Sequence, residues 1–212
     1  IPQFKKKYMD RPLVGGYVKE PKIGLSKWVV SFDLNSLYPH LIMQYNISPE
    51  TLLGRDQNFP NLQSIIDGYA VIEGNYSFAA NGTYYRKDKQ GFLPALMQKM
   101  YNDRNEYKKK MIEAKKKLET LTKGTEEYRQ TQNTIARYHN LQLAKKIQLN
   151  SAYGALGNEY FRWFNFDMAE AITTSGQLSI RWVEKHINEY LNKLLKTDKF
   201  DYIIASDTDS IY

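Results

Sequence analysis

Two periods of apolar residues succeed one another along this chain, and the changes from one to the other divide it into three. In the first stretch the signals are those of strands. Gly15-Gly16 and Pro21 bracket Tyr17-Val18-Lys19-Glu20, a turn followed by a short strand. Trp28-Val29-Val30-Ser31-Phe32 is nearly continuously apolar and β-rich, the pattern of a strand covered on both faces. Residues from about 34 to about 45 suit a short helix or turn, and Ser48-Pro49-Glu50 marks a break. Weaker strand signals follow at Ala70-Val71-Ile72, Tyr76-Ser77-Phe78 and Thr83-Tyr84-Tyr85-Arg86, with Asn81-Gly82 a hairpin turn before the last.

From Pro94 the period lengthens. Pro94 suits the first turn of a helix, and Met100, Tyr107, Met111, Ala114, Leu118 and Leu121 recur at helical spacing with Lys and Glu between them. Gly124 is a helix stop. Thr125 is a helix start, a capping hydroxyl ahead of two acids, Glu126 and Glu127, that complement the helix dipole. A second helical pattern runs through Ile135, Tyr138, Leu141 and Ile147 to about Tyr153. A connection of about four residues forces the two helices antiparallel, so residues from about 94 to about 153 form a helical hairpin inserted between β-containing segments. Beyond it, Tyr160-Phe161-Arg162-Trp163-Phe164 is aromatic and strand-like, and Asp167 is placed to cap a long helix. On that helix Ala169, Ile172, Gly176, Val183, Ile187, Tyr190 and Leu194 make one stripe expected to pack on a sheet. Phe200 to Ala205 reads as the final strand, and the class is α+β.

Charge and composition narrow the partners. The chain has 212 residues and a net charge of +7, which favours nucleic acid or a phosphorylated substrate over a membrane. With no cysteine, disulfides and thiolate metal sites are excluded, as suits a reducing compartment. No uninterrupted apolar stretch approaches the roughly 20 residues of a membrane span. The opening Ile1-Pro2-Gln3-Phe4-Lys5-Lys6-Lys7 has neither an initiator Met nor an apolar signal core, and the chain stops where a hairpin should be half complete. It reads as an internal piece of something longer.

The candidate chemistry lies at strand ends and on the helical hairpin. Asp33 ends one apolar strand, and Asp209 lies in Ser206-Asp207-Thr208-Asp209-Ser210, after the apolar run Tyr202-Ile203-Ile204-Ala205. Carboxylates are hard ligands, and Mg²⁺ takes one or two of them together with waters and substrate phosphates. Two ionised carboxylates about 4 Å apart repel by about 4 kcal/mol at an effective dielectric of about 20, so such a pair needs cations between its members. Asp207, two residues from Asp209, shares its face if the strand continues and is a supporting ligand. Taken alone, Asp-Thr-Asp-Ser is also the signature of an Asx turn closing a hairpin.

Lys146, Asn150 and Tyr153 fall at i, i+4 and i+7 on one helix face, as do Arg104 and Lys108 on the preceding helix. Opposed across the hairpin they make a cationic slot for a triphosphate, with Arg able to chelate phosphate oxygens. Lys109-Lys110 and Lys115-Lys116-Lys117 read as a solvated basic face that adds salt-sensitive attraction to a phosphate backbone. Tyr38 follows Asp33 by five residues; its ring either packs in the core or presses on a sugar and leaves no room for a 2′-hydroxyl. The histidines (His40, His139, His186) are scattered and suggest no metal triad, and no Ser-His-Asp spacing recommends a hydrolase.

Three of these segments resemble motifs of family B DNA polymerases, most closely the replicative enzymes of T-even-like tailed bacteriophages. Asp33-Leu34-Asn35-Ser36-Leu37-Tyr38-Pro39 resembles the first palm motif, Lys146 to Gly154 the fingers motif Lys-x-x-x-Asn-Ser-x-Tyr-Gly, and Asp207-Thr208-Asp209-Ser210 the third motif. Their order is that of the family, and Asn46-Ile47-Ser48-Pro49-Glu50-Thr51 and Ala155-Leu156-Gly157-Asn158 extend the likeness over nearly the whole chain. The resemblance implies a palm of antiparallel sheet backed by helices, residues 1–93 and 158–212, with a helical-hairpin fingers domain, residues 94–157, inserted in it.

It further implies template-directed nucleotidyl transfer from a deoxynucleoside triphosphate (dNTP) to a primer 3′-hydroxyl, in the cytoplasm of an infected bacterial host. Asp33 and Asp209 would bind two Mg²⁺ ions, with the Leu34 carbonyl completing one shell. Ser36, Leu37, Arg104, Lys108, Lys146 and Asn150 would hold the incoming triphosphate, Lys146 adding charge stabilisation. Tyr38 would be the sugar gate, and Tyr153 and Gly154 would meet the primer-template. Primer-template DNA and dNTP are the implied partners, with a sliding clamp through other regions and no membrane. Three departures stand out: His40 in place of a small Ser, Ala205-Ser206 in place of Tyr-Gly, and Gly15-Gly16 without its usual preceding Tyr, to which no site is assigned. The alternative is a nucleic-acid-binding fragment, inactive without exonuclease and thumb regions, whose final strand is unpaired and holds Asp209 poorly.

Overall fold

A computed structural model describes residues 12–70, 72 and 74–212. Two small antiparallel sheets and three long helices carry the architecture. The first sheet has the order β1-β6-β7-β2, built from Val18–Lys19 (β1), Phe32–Asp33 (β2), Ser206–Asp207 (β6) and Ser210–Ile211 (β7). The second has the order β3-β5-β4, from Leu52–Arg55 (β3), Ser77–Phe78 (β4) and Thr83–Tyr85 (β5). The helices are α1 (Leu37–Tyr45), the short α2 (Leu62–Ile66), α3 (Phe92–Glu119), α4 (Glu126–Leu156) and α5 (Phe166–Leu195). None of these helices is long and apolar enough to cross a membrane. The N-terminal heptad and Val71, at the centre of one weak strand signal, lie outside the described residues.

The helical hairpin forms as its periodicity predicts. Thr125 caps α4 through its hydroxyl, which accepts from the Tyr128 amide at 3.2 Å, and Glu126 and Glu127 occupy the first turn. The start of α3 is capped from a distance. Asn46, in the left-handed conformation at φ 58°, ends α1 and accepts from the Gly91 amide, while Glu50 and Ser48 accept from Phe92 and Leu93. Asn46-Ile47-Ser48-Pro49-Glu50 thus breaks one helix and supplies the acceptors that the first amides of another lack.

One core holds the base of the hairpin to the rest. Ile42 and Ile47, Tyr85 of the second sheet, Leu93 and Met97 of α3, Leu149 and Leu156 of α4, and Met168 and Ile172 of α5 are all buried in it. A smaller core of Ile180, Ile203 and Ile211, with Tyr17, Leu34, Val183 and Ile187 against it, seats α5 on the first sheet as its stripe predicts. The stripe continues past the sheet, so Tyr190 and Leu194 stay exposed. On α4 the buried line runs through Leu149 and not through Ile147, which is 59% exposed.

Several expectations are corrected. Trp28 to Phe32 is not a covered strand: β2 is the outer strand of its sheet, Trp28 turns the chain at φ 60°, and Trp28, Val29, Val30 and Phe32 are exposed. The aromatic run at residues 160–164 folds into turns, closed by Phe161 N–H to Asn158 and Phe164 N–H to Phe161 bonds, because its rings find partners locally (Phe161 with Trp163, Trp163 with Phe92). Phe200 to Ala205 is not a regular strand: side chains of α5 occupy backbone groups of residues 200–202, while Ile204 and Ala205 bond to the backbones of Lys22 and Tyr212. Asn192 bonds the Phe200 backbone in both directions, and Asn188 accepts from the Tyr202 amide. The final strand is not unpaired: β7 pairs with both β6 and β2, which removes one ground of the alternative reading. The cap of α5 is Asn165, accepting from the Met168 amide, and Asp167 sits in its first turn.

Two charged clusters tie the layers together. The Arg55 guanidinium of β3 reaches Asp167 at 3.0 Å and Glu170 at 2.8 Å, both buried at the N-terminal end of α5. Lys19 of β1 bonds Glu184 of α5 and Asp201, and Asn188 donates to Asp201 as well. Burial alone would raise the Asp201 carboxyl, yet hydrogen bonds from Lys19, Asn188 and Lys22 outweigh it and hold the group well below the usual carboxylate range.

Two outcomes test this account. Arg55→Met, which removes the cation shared by two buried carboxylates, should destabilise the fold by about 3 kcal/mol in chemical denaturation. Because the folded-state pKa of Asp201 is depressed, its contribution is complete above the unfolded value of about 3.9 and is lost as pH falls through the lower folded value. The stability difference between the parent and Asp201→Asn should therefore be constant near neutrality and shrink below about pH 4; parallel melting curves across that range would refute the linkage.

Candidate active site

Strand pairing brings the two acids together. β2 and β7 are antiparallel with Asp33 opposite Ser210, and the Leu34 amide donates to the Asp209 carbonyl at 2.7 Å. The turn between β6 and β7 is tight: Thr208 is left-handed at φ 51°, and its amide donates to the Tyr17 carbonyl at 2.8 Å. Ser36, ahead of α1, is left-handed too, at φ 56°. Non-glycine residues held in that region cost about 1 kcal/mol or more and persist only where the surroundings hold them.

Asp33 and Asp209 line one end of a cleft of about 460 Å³, whose other wall carries Arg104 of α3 and Lys146, Asn150 and Tyr153 of α4. The first turn of α1, with Ser36, Leu37 and Tyr38, forms the floor between them. The Asp209 carboxyl is raised above its ordinary value, first by burial and then by the negative charge of Asp33. Tyr38 is pushed up to about 12, by burial and then by Tyr153, Asp209 and Asp207. Its ring lies 4.9 Å from that of Tyr153, centroid to centroid.

The cationic wall complements this. Arg104 donates to the Ser36 hydroxyl at 3.3 Å, while its Nε is buried with no hydrogen-bond partner among the described residues. A buried charged donor left unpaired costs about 1–3 kcal/mol or more, a deficit that an anion in the cleft would repair. Asp103, between the helices, is taken by Lys145 at 3.0 Å and Lys99 at 3.3 Å. Among the described residues no carboxylate lies within ion-pair distance of Lys146.

The donor set fits a hard divalent cation only in part. Among the described residues no group of three or more His, Cys, Asp or Glu side chains is arranged to hold a metal. Two carboxylates, one with its pKa raised by burial and then by the charge of the other, beside an anion-binding wall suit Mg²⁺ ions whose remaining ligands are waters and substrate phosphates.

Not every residue read from the sequence reaches the cleft. Asp207 is exposed and off the wall, because the turn at Thr208 interrupts the alternation that would have put it on the face of Asp209; it accepts instead from the Thr208 hydroxyl. Lys108, one turn farther out on α3, and Gly154, beside Tyr153, are exposed and also off the wall. Leu34 contributes its amide to the turn, and its side chain packs in the smaller core. Asn35, Pro39 and Thr208 line the cleft without having been singled out. His40 acts in packing, its Nδ1 donating to the Ser36 carbonyl at 2.9 Å and its ring edge-on to Tyr101.

Gly16 was assigned no role, yet a Cβ there would lie 2.6 Å from the Thr208 hydroxyl. The close approach of the chain just ahead of β1 to the acidic turn favours glycine, and the paired glycines were its only trace in the sequence. Ser206, where the resembling family has Gly, buries a hydroxyl that finds no partner among the described residues.

The chain is 34% identical to the DNA-directed DNA polymerase of Escherichia phage RB69 and 35% identical to that of Enterobacteria phage T4, over its whole length. It is 33% identical over 93% of its length to a DNA polymerase of Pyrococcus glycovorans. These matches cover 27%, 28% and 21% of the respective relatives, so the chain spans about a quarter of their length. The model of DNA polymerase family B matches residues 1–212 throughout, and the chain belongs to that family.

Proposed function

We propose that this chain carries the nucleotidyl-transfer centre of a template-directed DNA polymerase, a replicative enzyme of viral type acting in the cytoplasm of an infected bacterium. Residues 1–93 and 158–212 are read as palm and residues 94–157 as fingers. The observation that carries the reading is the single cleft in which Asp33 and Asp209 face Arg104, Lys146 and Asn150. Carboxylates for cations at one end and cations for phosphates at the other are what a dNTP bridging two Mg²⁺ ions requires.

In this reading Asp33 and Asp209 hold the ions with help from the Leu34 carbonyl, and Asp207, off the cleft wall, is left out of the ligand set. Bound there, the ions would lower the charge cost of forming the primer 3′-alkoxide and of releasing pyrophosphate. Arg104, with its unpaired buried Nε, and Lys146 grip the triphosphate, and the first amides of α1, at Ser36 and Leu37, face the same oxygens. Lys146 neutralises charge developing on the leaving group. Tyr38 lies under the sugar, where a ring excludes a 2′-hydroxyl, and Tyr153, its ring tilted against that of Tyr38, lies beside it toward the nascent pair. Lys108 and Gly154 act farther out, on approaching triphosphate and primer-template. The net charge of +7 supports binding to a phosphate backbone. A sliding clamp would be met through other parts of the protein.

The test is primer extension by the full-length polymerase. Asp33→Asn and Asp209→Asn should each nearly abolish nucleotide addition while leaving primer-template affinity within a few-fold; Mg²⁺-dependent turnover unchanged in both would remove the assignment. Lys146→Ala should slow single-turnover incorporation by about 10²-fold, equivalent to about 2.7 kcal/mol of barrier. Incorporation at the parent rate would make Lys146 a surface lysine.

A further inference from the structure

Beneath Tyr38 lies an unusual piece of helix. Gly176 sits in the middle of α5, buried, where glycine costs about 1 kcal/mol relative to alanine and where no turn or positive φ calls for it. Its neighbours supply the reason for it. A Cβ built on Gly176 would stand 3.1 Å from Cε1 of the Tyr38 ring, against 3.6 Å from Leu37 and 3.7 Å from Leu41. The two leucine distances are ordinary contacts, so only the Tyr38 ring is in the way. The same ring meets that of Tyr153, 4.9 Å away centroid to centroid. Tyr38 thus contacts both a bare patch of helix backbone and a second aromatic ring, and Gly176 sets how deep it sits.

We infer that Gly176 is a positioning residue for sugar discrimination, acting through Tyr38 by fixing the depth of the cleft floor. The inference rests on the proposed role of Tyr38 and adds to it a determinant outside all three sequence motifs. A methyl group at position 176 pushes the ring away from α5, and because Tyr38 also lines the cleft the displacement narrows the space that the nucleotide sugar would occupy. Interiors are close-packed, so a shift of a few tenths of an ångström passes to the next surface instead of being absorbed. Fold loss does not confound the change, because alanine restores the helix propensity that glycine gives up.

The experiment is a double-mutant cycle in the full-length polymerase, reading the ratio of kcat/KM for a dNTP to that for the matching ribonucleotide. Gly176→Ala should raise this ratio by about fivefold, or about 1 kcal/mol of differential barrier, with an unchanged or higher melting temperature. The effect should persist beside Tyr38→Phe, which keeps the ring, and vanish beside Tyr38→Ala, which removes it. Tyr38→Ala by itself should admit ribonucleotides more readily. If it does so but Gly176→Ala leaves the ratio unaltered, or alters it equally without the ring, the Gly176 assignment falls and the gate stands. If Tyr38→Ala leaves sugar preference unchanged, the gate falls and the assignment with it.

Discussion

Two like charges held side by side are the constraint around which the cleft is built. Asp33 and Asp209 would separate if their backbones allowed it; instead β2 and β7 pair with Asp33 opposite Ser210, and the Leu34 amide is bonded to the Asp209 carbonyl. Burial first, and then this repulsion, raise the pKa of Asp209. Backbone pairing is well suited to this task, because a ladder bond does not depend on which side chains it brings together. The turn carrying Asp209 is braced in its turn by the residues just ahead of β1, where Gly16 lets the chain come against Thr208 and the Tyr17 carbonyl receives the Thr208 amide. A site that stores repulsion must be rigid, and here three strands and two left-handed residues supply the rigidity.

The opposite wall is held by different means. Arg104 and Lys146 stand on long helices whose outer halves are largely solvated, so their position depends on how the hairpin is rooted. Its root is double: Leu93, Met97, Leu149 and Leu156 enter the main core, and Asn46, Ser48 and Glu50 take the first amides of α3. The chain that leaves α1 is therefore also the chain that orients α3. Since α1 begins at the cleft floor, the floor and the cationic wall are set by one continuous segment, residues 36–50.

Local physics was legible where it acts over a few residues. The helical hairpin, the cap at Thr125, the break at Ser48-Pro49-Glu50 and the turn at Asn81-Gly82 all follow from side chains bonding or packing within a turn or two. Where a distant element competes for the same groups, the local reading failed. Asn188 and Asn192 of α5 take the backbone of residues 200–202 out of a strand, and the rings of residues 160–164 pack in turns although their propensity is for β. Asn165 caps α5 in place of Asp167, whose carboxylate is drawn to Arg55.

The same division runs through the site. Residue type and spacing alone determined that Asp33 ends a strand, that Lys146, Asn150 and Tyr153 share a helix face, and that Tyr38 stands close to the first acid, because each depends only on the period of one element. Tertiary structure decided the rest: that the two acids are neighbours, that Asp207 and Lys108 stay outside the cleft, and that Gly16 and Gly176 matter for the atoms they lack. The pairing of the two acids and the contacts of Gly16 and Gly176 depend on distances between segments more than a hundred residues apart, which no local periodicity encodes.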